Sequence, residues 1–205
     1  MFRYRESWRE KFGKILHPEP VKRKLNTTIH RLQVQMRKLE SKTYQLQARD
    51  KALYAKCVAA IQEKNNAKAS MFAEEDSEIR KMVLTTIRSQ MLLERVNLRL
   101  ERVRDFGEFA YSMSSVGAVL GMVRNDLRNI MPEISTEIAD VNEILEEMTL
   151  EVGQVTDQHF DQTVPTEESE AIMKEATTLA EQRMREKFPE MPRIPTREPG
   201  TSLQD

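Results

Sequence analysis

The chain has 205 residues, 39% of them hydrophobic and 32% charged, with only 6 glycines; this balance argues against a sheet protein and suits long solvated helices. Its single cysteine, Cys57, excludes an internal disulfide framework and fits a reducing compartment. No apolar run is long enough for a bilayer span, and the N-terminus lacks a signal peptide's apolar core and cleavage site, so a cytoplasmic location is expected.

The net charge of −1 conceals an asymmetry. Residues 1–64 hold 16 basic and 6 acidic side chains, whereas residues 105–205 hold 8 basic and 21 acidic ones. A front of +10 and a back of −13 attract each other, within one chain or between chains.

In residues 1–16, Trp8, Phe12, Ile15 and Leu16 share a helical face, with Phe2 further back. Arg3, Arg5, Arg9, Lys11 and Lys14 lie mostly elsewhere on the same helix. Aromatics on one side and cations on another are what an interfacial helix needs on an anionic membrane. The competing reading is a segment that packs back on the rest of the chain. His17-Pro18-Glu19-Pro20 then reads as an extended elbow, because the residue before each proline is steered away from helix.

Val21 to Phe106 contains no Gly or Pro. Leu25, Ile29, Leu32, Met36, Leu39, Leu46, Leu53 and Cys57 mark a heptad seam, completed by Thr43, Asp50 and Ala60. The seam lapses over residues 62–68, which contain Asn65-Asn66. A helical hairpin with its tip at that pair is expected; one continuous helix is the alternative. The first arm, about 21–62, carries Lys22, Arg23, Lys24, Arg31, Arg37 and Lys38 as a basic face suited to phosphates. Neither interleaved aromatics nor a nucleic-acid module accompanies them, so an anionic membrane is expected and nucleic acid is not. The second arm has a broader stripe: Phe72, Ile79, Val83, Ile87, Leu92, Leu93, Val96, Leu100, Val103 and Phe106.

Residues 109–123 are uncharged, with Gly117 and Gly121 four apart, as for a close helix crossing or a hinge. A third helix ending before Pro132 is expected here. Ser135 or Thr136 should cap an acidic helix running to Val152, with Ile134, Ile138, Val141, Leu145, Met148 and Val152 as one narrow apolar seam. Residues 153–165 read as a linker. A late helix over about 166–187 begins with Glu167, Glu168 and Glu170 and ends with Arg183, Arg185 and Lys187, an order that suits the helix dipole. The tail follows: Phe188, Pro189, Met191, Pro192, Ile194 and Pro195, with prolines at every third position as on one ridge of a polyproline helix. Residues 196–205 are expected to be disordered.

No phosphate-binding glycine loop, His-Glu-x-x-His or nucleophile elbow is present, and His17, His30 and His159 are scattered. The sequence therefore points to no catalytic residue, metal or cofactor, and to a protein that is not an enzyme.

The order of parts resembles ESCRT-III: amphipathic N-terminus, long basic hairpin, shorter helix, acidic helix, linker, late helix, Pro-spaced tail. Within that family the chain looks like the archaeal cell-division branch, the CdvB group, with no winged-helix region after the tail. The resemblance covers nearly all of residues 1–195. It implies an all-α, elongated hairpin with shorter C-terminal helices, in divisions of 1–16, 21–131, 133–152, 153–165, 166–188, 188–195 and 196–205. It also implies a subunit that polymerises, with itself and with paralogous subunits, on the inner face of the cell membrane at the division site. There it would constrict the neck and be remodelled by the AAA-type ATPase CdvC. Phe188–Pro195 is similar to the family's motif for the MIT domain of that ATPase. A BAR-like curvature-binding coiled-coil dimer is the alternative reading, and a nucleic-acid-binding coiled coil is a third.

Overall fold

The computed structural model describes residues 19–106, 109–156, 166–190 and 192. Two helices, α1 (Glu19–Gln62, 44 residues) and α2 (Asn66–Phe106, 41 residues), form an antiparallel hairpin about 65 Å long at the usual helical rise. The chain reverses at residues 63–65 and does not run on as one helix. Lys64 takes a left-handed φ of 58°, its N–H donates to the Ile61 carbonyl, and the Asn65 N–H donates to the Ala60 carbonyl. Asn65 then caps α2, its Oδ1 accepting from the Lys68 N–H at 3.1 Å.

The heptad seam of α1 is the contact line with α2. Leu25, Leu32, Leu39, Leu46, Thr43, Asp50, Cys57 and Ala60 are buried, while Met36 and Leu53 are half-buried beside them. The stripe of α2 is wider because it serves three neighbours: α1, α3 (Phe109–Leu127) and α5 (Glu167–Lys187). Between these last two comes α4 (Pro132–Thr156), which packs on α3 and on α1.

Four local expectations need correction. The first helix opens at Glu19, inside the expected elbow, since proline is tolerated in a first helical turn, where its missing N–H would have no partner. The acidic helix starts at Pro132, so neither Ser135 nor Thr136 is its cap. Ser135 Oγ instead donates to the Arg124 carbonyl of α3, and Thr136 Oγ1 to the Pro132 carbonyl. The same helix runs on to Thr156, into the stretch expected as linker. At Gly121 an added Cβ would meet nothing within 4 Å, so no close crossing explains that glycine. The last helix has a capping box that charge order alone does not reveal: Thr166 Oγ1 accepts from the Ser169 N–H, and Ser169 Oγ accepts from the Thr166 N–H.

Candidate functional site

The acidic back folds onto the basic front. Helix α4 buries Ile134, Ile138, Val141, Leu145 and Met148 of its narrow seam in the core, while the side chain of Val152 lies outside the described ones. Burying each such side chain is worth about 1.5–3 kcal/mol. Its acidic flank then meets α1: Glu151 pairs with Lys24 at 2.7 Å, and Glu137 and Asp140 pair with Arg31 at 3.1 and 3.4 Å. These pairs are largely solvent-exposed, where one bridge contributes about 0–1 kcal/mol. The apolar seam therefore supplies most of the adhesion, and the charges add a smaller, salt-sensitive part whose reversal weakens the docking.

Helix α5 closes the opposite side. It lays small residues, Ser169, Ala176 and Ala180 together with Ile172, against α2 and α3, so the backbones approach closely. Two arginines of α2 reach across. Arg95 pairs with Glu175; Arg99 pairs with Glu168 and also donates to Ser115 Oγ of α3 at 2.6 Å. The hydrogen bond from Arg99 holds the Glu168 carboxyl below its usual range. Arg99 is thus one point at which α2, α3 and α5 are tied together.

A second such point lies further along the hairpin. Arg80 Nε donates to Asp50 Oδ1 of α1 at 2.8 Å and to Asp76 Oδ2, one turn back on α2, at 2.7 Å. Its Nη1 donates to the Pro189 carbonyl at 2.7 Å, and its guanidinium lies 5.8 Å from the centre of the Phe188 ring. Both carboxylates are buried between the arms. Burial pushes the Asp76 carboxyl up to about 6; the Arg80 charge opposes the rise and Asp50 adds to it.

The expected site residues divide. Lys24 and Arg31 of the basic face are engaged by α4, whereas Lys22, Arg23, Arg37 and Lys38 are exposed. In the tail, Phe188 is buried against the hairpin at 7% exposure, Pro189 is exposed and Pro192 half-buried. Met191, Ile194 and Pro195, and the whole N-terminal set Phe2, Arg3, Arg5, Trp8, Arg9, Lys11, Phe12, Lys14, Ile15 and Leu16, lie outside the described residues. Arg80, Asp76, Arg99 and Glu168 were not anticipated. An Asp-x-x-x-Arg spacing was the available signal for the first two, but it reads equally as an ordinary surface pair.

Among the described residues no group of His, Cys, Asp and Glu could hold a metal ion, and no helix is long and apolar enough to cross a membrane. What the arrangement offers is surface: an elongated basic hairpin partly covered by its own acidic and late helices.

Comparison with known proteins bears on that architecture. The model of the Snf7 family, the ESCRT-III domain, matches residues 27–199. The chain is 33% identical over 174 residues to Cell division protein B1 of Sulfolobus acidocaldarius, covering 85% of this chain and 81% of that protein. It is 30% identical over 169 residues to Cell division protein B of the same organism, covering 82% of this chain and 65% of that one. No solved structure gives a significant match. An all-α hairpin with its shorter helices folded back, matched by that family model over most of its length, places the chain in the Snf7 (ESCRT-III) family, where it is similar to the archaeal CdvB-type proteins.

Proposed function

We propose that this chain is a membrane-remodelling polymer subunit of archaeal cell division, held closed until its acidic and late helices leave the hairpin. The observation that carries this reading is the pairing of opposite charges across the fold. Lys24 and Arg31 of the basic arm are taken up by Glu151, Glu137 and Asp140, so part of the face suited to anionic surfaces is occupied internally. Family membership supports self-assembly with paralogous subunits, and the names of the two relatives support division as the setting.

In this account the N-terminal face Trp8, Phe12, Ile15 and Leu16 enters the inner leaflet of the cell membrane at the division site. The exposed Lys22, Arg23, Arg37 and Lys38 add attraction of about 1 kcal/mol each near anionic lipid. The segment Phe188–Pro195 docks on the MIT domain of an AAA-type ATPase. Its three prolines already restrict the peptide, so docking costs little further entropy.

Co-sedimentation with anionic liposomes and with DNA, followed by negative-stain microscopy, tests the reading. Binding to liposomes but not DNA, with filaments on the membrane, is expected, and deleting residues 1–16 should weaken that binding with helicity unchanged. A discrete dimer of fixed size would favour a curvature-binding dimer instead, and undiminished binding after the deletion would remove the anchor. Calorimetry of a peptide covering residues 183–199 against the MIT domain tests the ATPase step. Micromolar binding, lost on Met191→Asp with Ile194→Asp, is expected; no binding of the wild-type peptide removes that step.

A further inference from the structure

The cluster around Arg80 has an imbalance that the packing of the hairpin does not require. One guanidinium faces two carboxylates, so the site carries one net negative charge where Asp50 and Asp76 are 2% and 0% exposed. Both carboxylates bond the same Nε, so their oxygens cannot lie further apart than the sum of 2.8 and 2.7 Å. Asp76 Oδ1 and Arg80 Nη2 are buried with no hydrogen-bond partner among the described residues. Burial and the neighbouring Asp50 carboxylate both disfavour the charged form of Asp76 and so favour a proton on it.

The chain's own tail lies over part of the outer side of the cluster, where the Arg80 side chain is 18% exposed. The Phe188 ring lies by the guanidinium and the Pro189 carbonyl takes one of its N–H groups. Beside them a groove of about 380 Å³ separates α2 from α5, and Lys81, Glu181 and Arg185 are the other charged groups lining it. From α1, besides Asp50, the Cys57 thiol faces Asp76; burial pushes that thiol up and Asp76 adds to the shift. Glu190 is exposed to solvent.

We propose that Asp50, Asp76 and Arg80 form a proton-linked clasp for Phe188 and Pro189: closing the tail over the hairpin takes up a proton, and releasing it gives one back. With the tail in place, less water reaches the cluster and its surplus negative charge is costlier, so a proton on Asp76 is favoured. With the tail away, more water reaches Arg80 and the carboxylates, and the proton is less firmly held. By linkage, acid conditions then favour the clasped tail and neutral to alkaline conditions the free one. The position of Asp76, up to about 6, puts the change in the range where a modest shift of pH acts. The clasp concerns the hairpin and the tail alone and stands whatever the free tail binds.

The test uses the full chain with 4-fluorophenylalanine at position 188, its ¹⁹F resonances reporting clasped and free ring. One linked proton changes the clasped-to-free ratio by at most about tenfold per pH unit. With Asp76 at about 6 in the clasped state, an increase of about three- to fourfold is expected between pH 7.5 and 5.5. The Asp76→Asn variant, already uncharged there, should stay clasped and change less than about twofold over the same range. Arg80→Gln should show the free resonance at every pH, and should that variant lose its helical circular dichroism, the wild-type and Asp76→Asn titrations decide alone. A wild-type ratio that does not change with pH, or an Asp76→Asn ratio that follows the wild-type curve, overturns the clasp. So does an Arg80→Gln chain that keeps its fold and its clasped ring.

Discussion

The base and the tip of the hairpin are built from the same two helices and held by different means. At the base, large side chains fill the seam, among them Leu25, Leu32, Leu39, Leu92, Leu93 and Leu100, and α3, α4 and α5 cover the outside. At the tip the buried residues are Cys57, Ala60 and Ala69, with Ile61, Phe72 and Ala73 around them. The Asp50–Asp76–Arg80 cluster lies between the two apolar regions, belonging to neither. Small residues let the arms approach at the tip but bury little area, so its stability depends on continuity with the base. The base is stable because helices distant in sequence return to cover it, and that covering is also what must move if the chain is to open.

The largest way to break this contrast is at the polar boundary. Replacing Arg80 by Ala leaves two buried carboxylates without their cation and should cost about 3–5 kcal/mol in chemical denaturation. Leu100→Ala, in the fully buried base, should cost about 2–5 kcal/mol. Cys57→Ala at the tip removes one sulfur atom and should cost about 1 kcal/mol or less by the same scale of buried-atom deletions. A tip variant as damaging as the base variant would mean that the two regions are not differently held.

A smaller effect sharpens the boundary further. The folded-state position of Asp76 is raised, so its contribution to stability is fully present below its ordinary value of 3.8 and is lost as pH rises through about 6. Asp76→Asn should lack that part of the pH dependence and should gain on the wild type at pH 7.5 relative to pH 5, read from urea midpoints at both values. The smallest effect is expected at Gly121, within α3 and with open space where a Cβ would go. Gly121→Ala should raise the thermal midpoint slightly, by the equivalent of about 0.5–1 kcal/mol.

Much of the hairpin seam was legible in the sequence, because two packed helices write themselves as a heptad. Thr43, Asp50 and Ala60 were placed in it by spacing alone and are buried there. The seam of α4 was equally clear, since a narrow stripe among acidic residues has one way to face a core. The last helix was harder. Its buried face is Ser169, Ile172, Ala176 and Ala180, too small and too polar to stand out against its charges. The start of α4 was misplaced because Ser135 looks like a cap, while its hydroxyl is committed to the Arg124 carbonyl of another helix. No local pattern announces such partners. The junctions at Arg80 and Arg99 are hidden for the same reason: Arg80 reaches Asp50, 30 positions away, and Arg99 reaches Glu168, 69 positions away, and periodicity carries no such information.

The covering of the base is the centre of this account, and charge reversal on α4 tests it most directly. Glu137→Lys, Asp140→Lys and Glu151→Lys together turn three attractions with Lys24 and Arg31 into repulsions, while the apolar seam stays intact. The measurement is sedimentation at low salt, where such exposed charges are least screened, over a range of protein concentration. The triple variant should pellet as polymer at concentrations where the wild type stays in the supernatant, and added salt should narrow the difference. Equal sedimentation of the two proteins at low salt would contradict it.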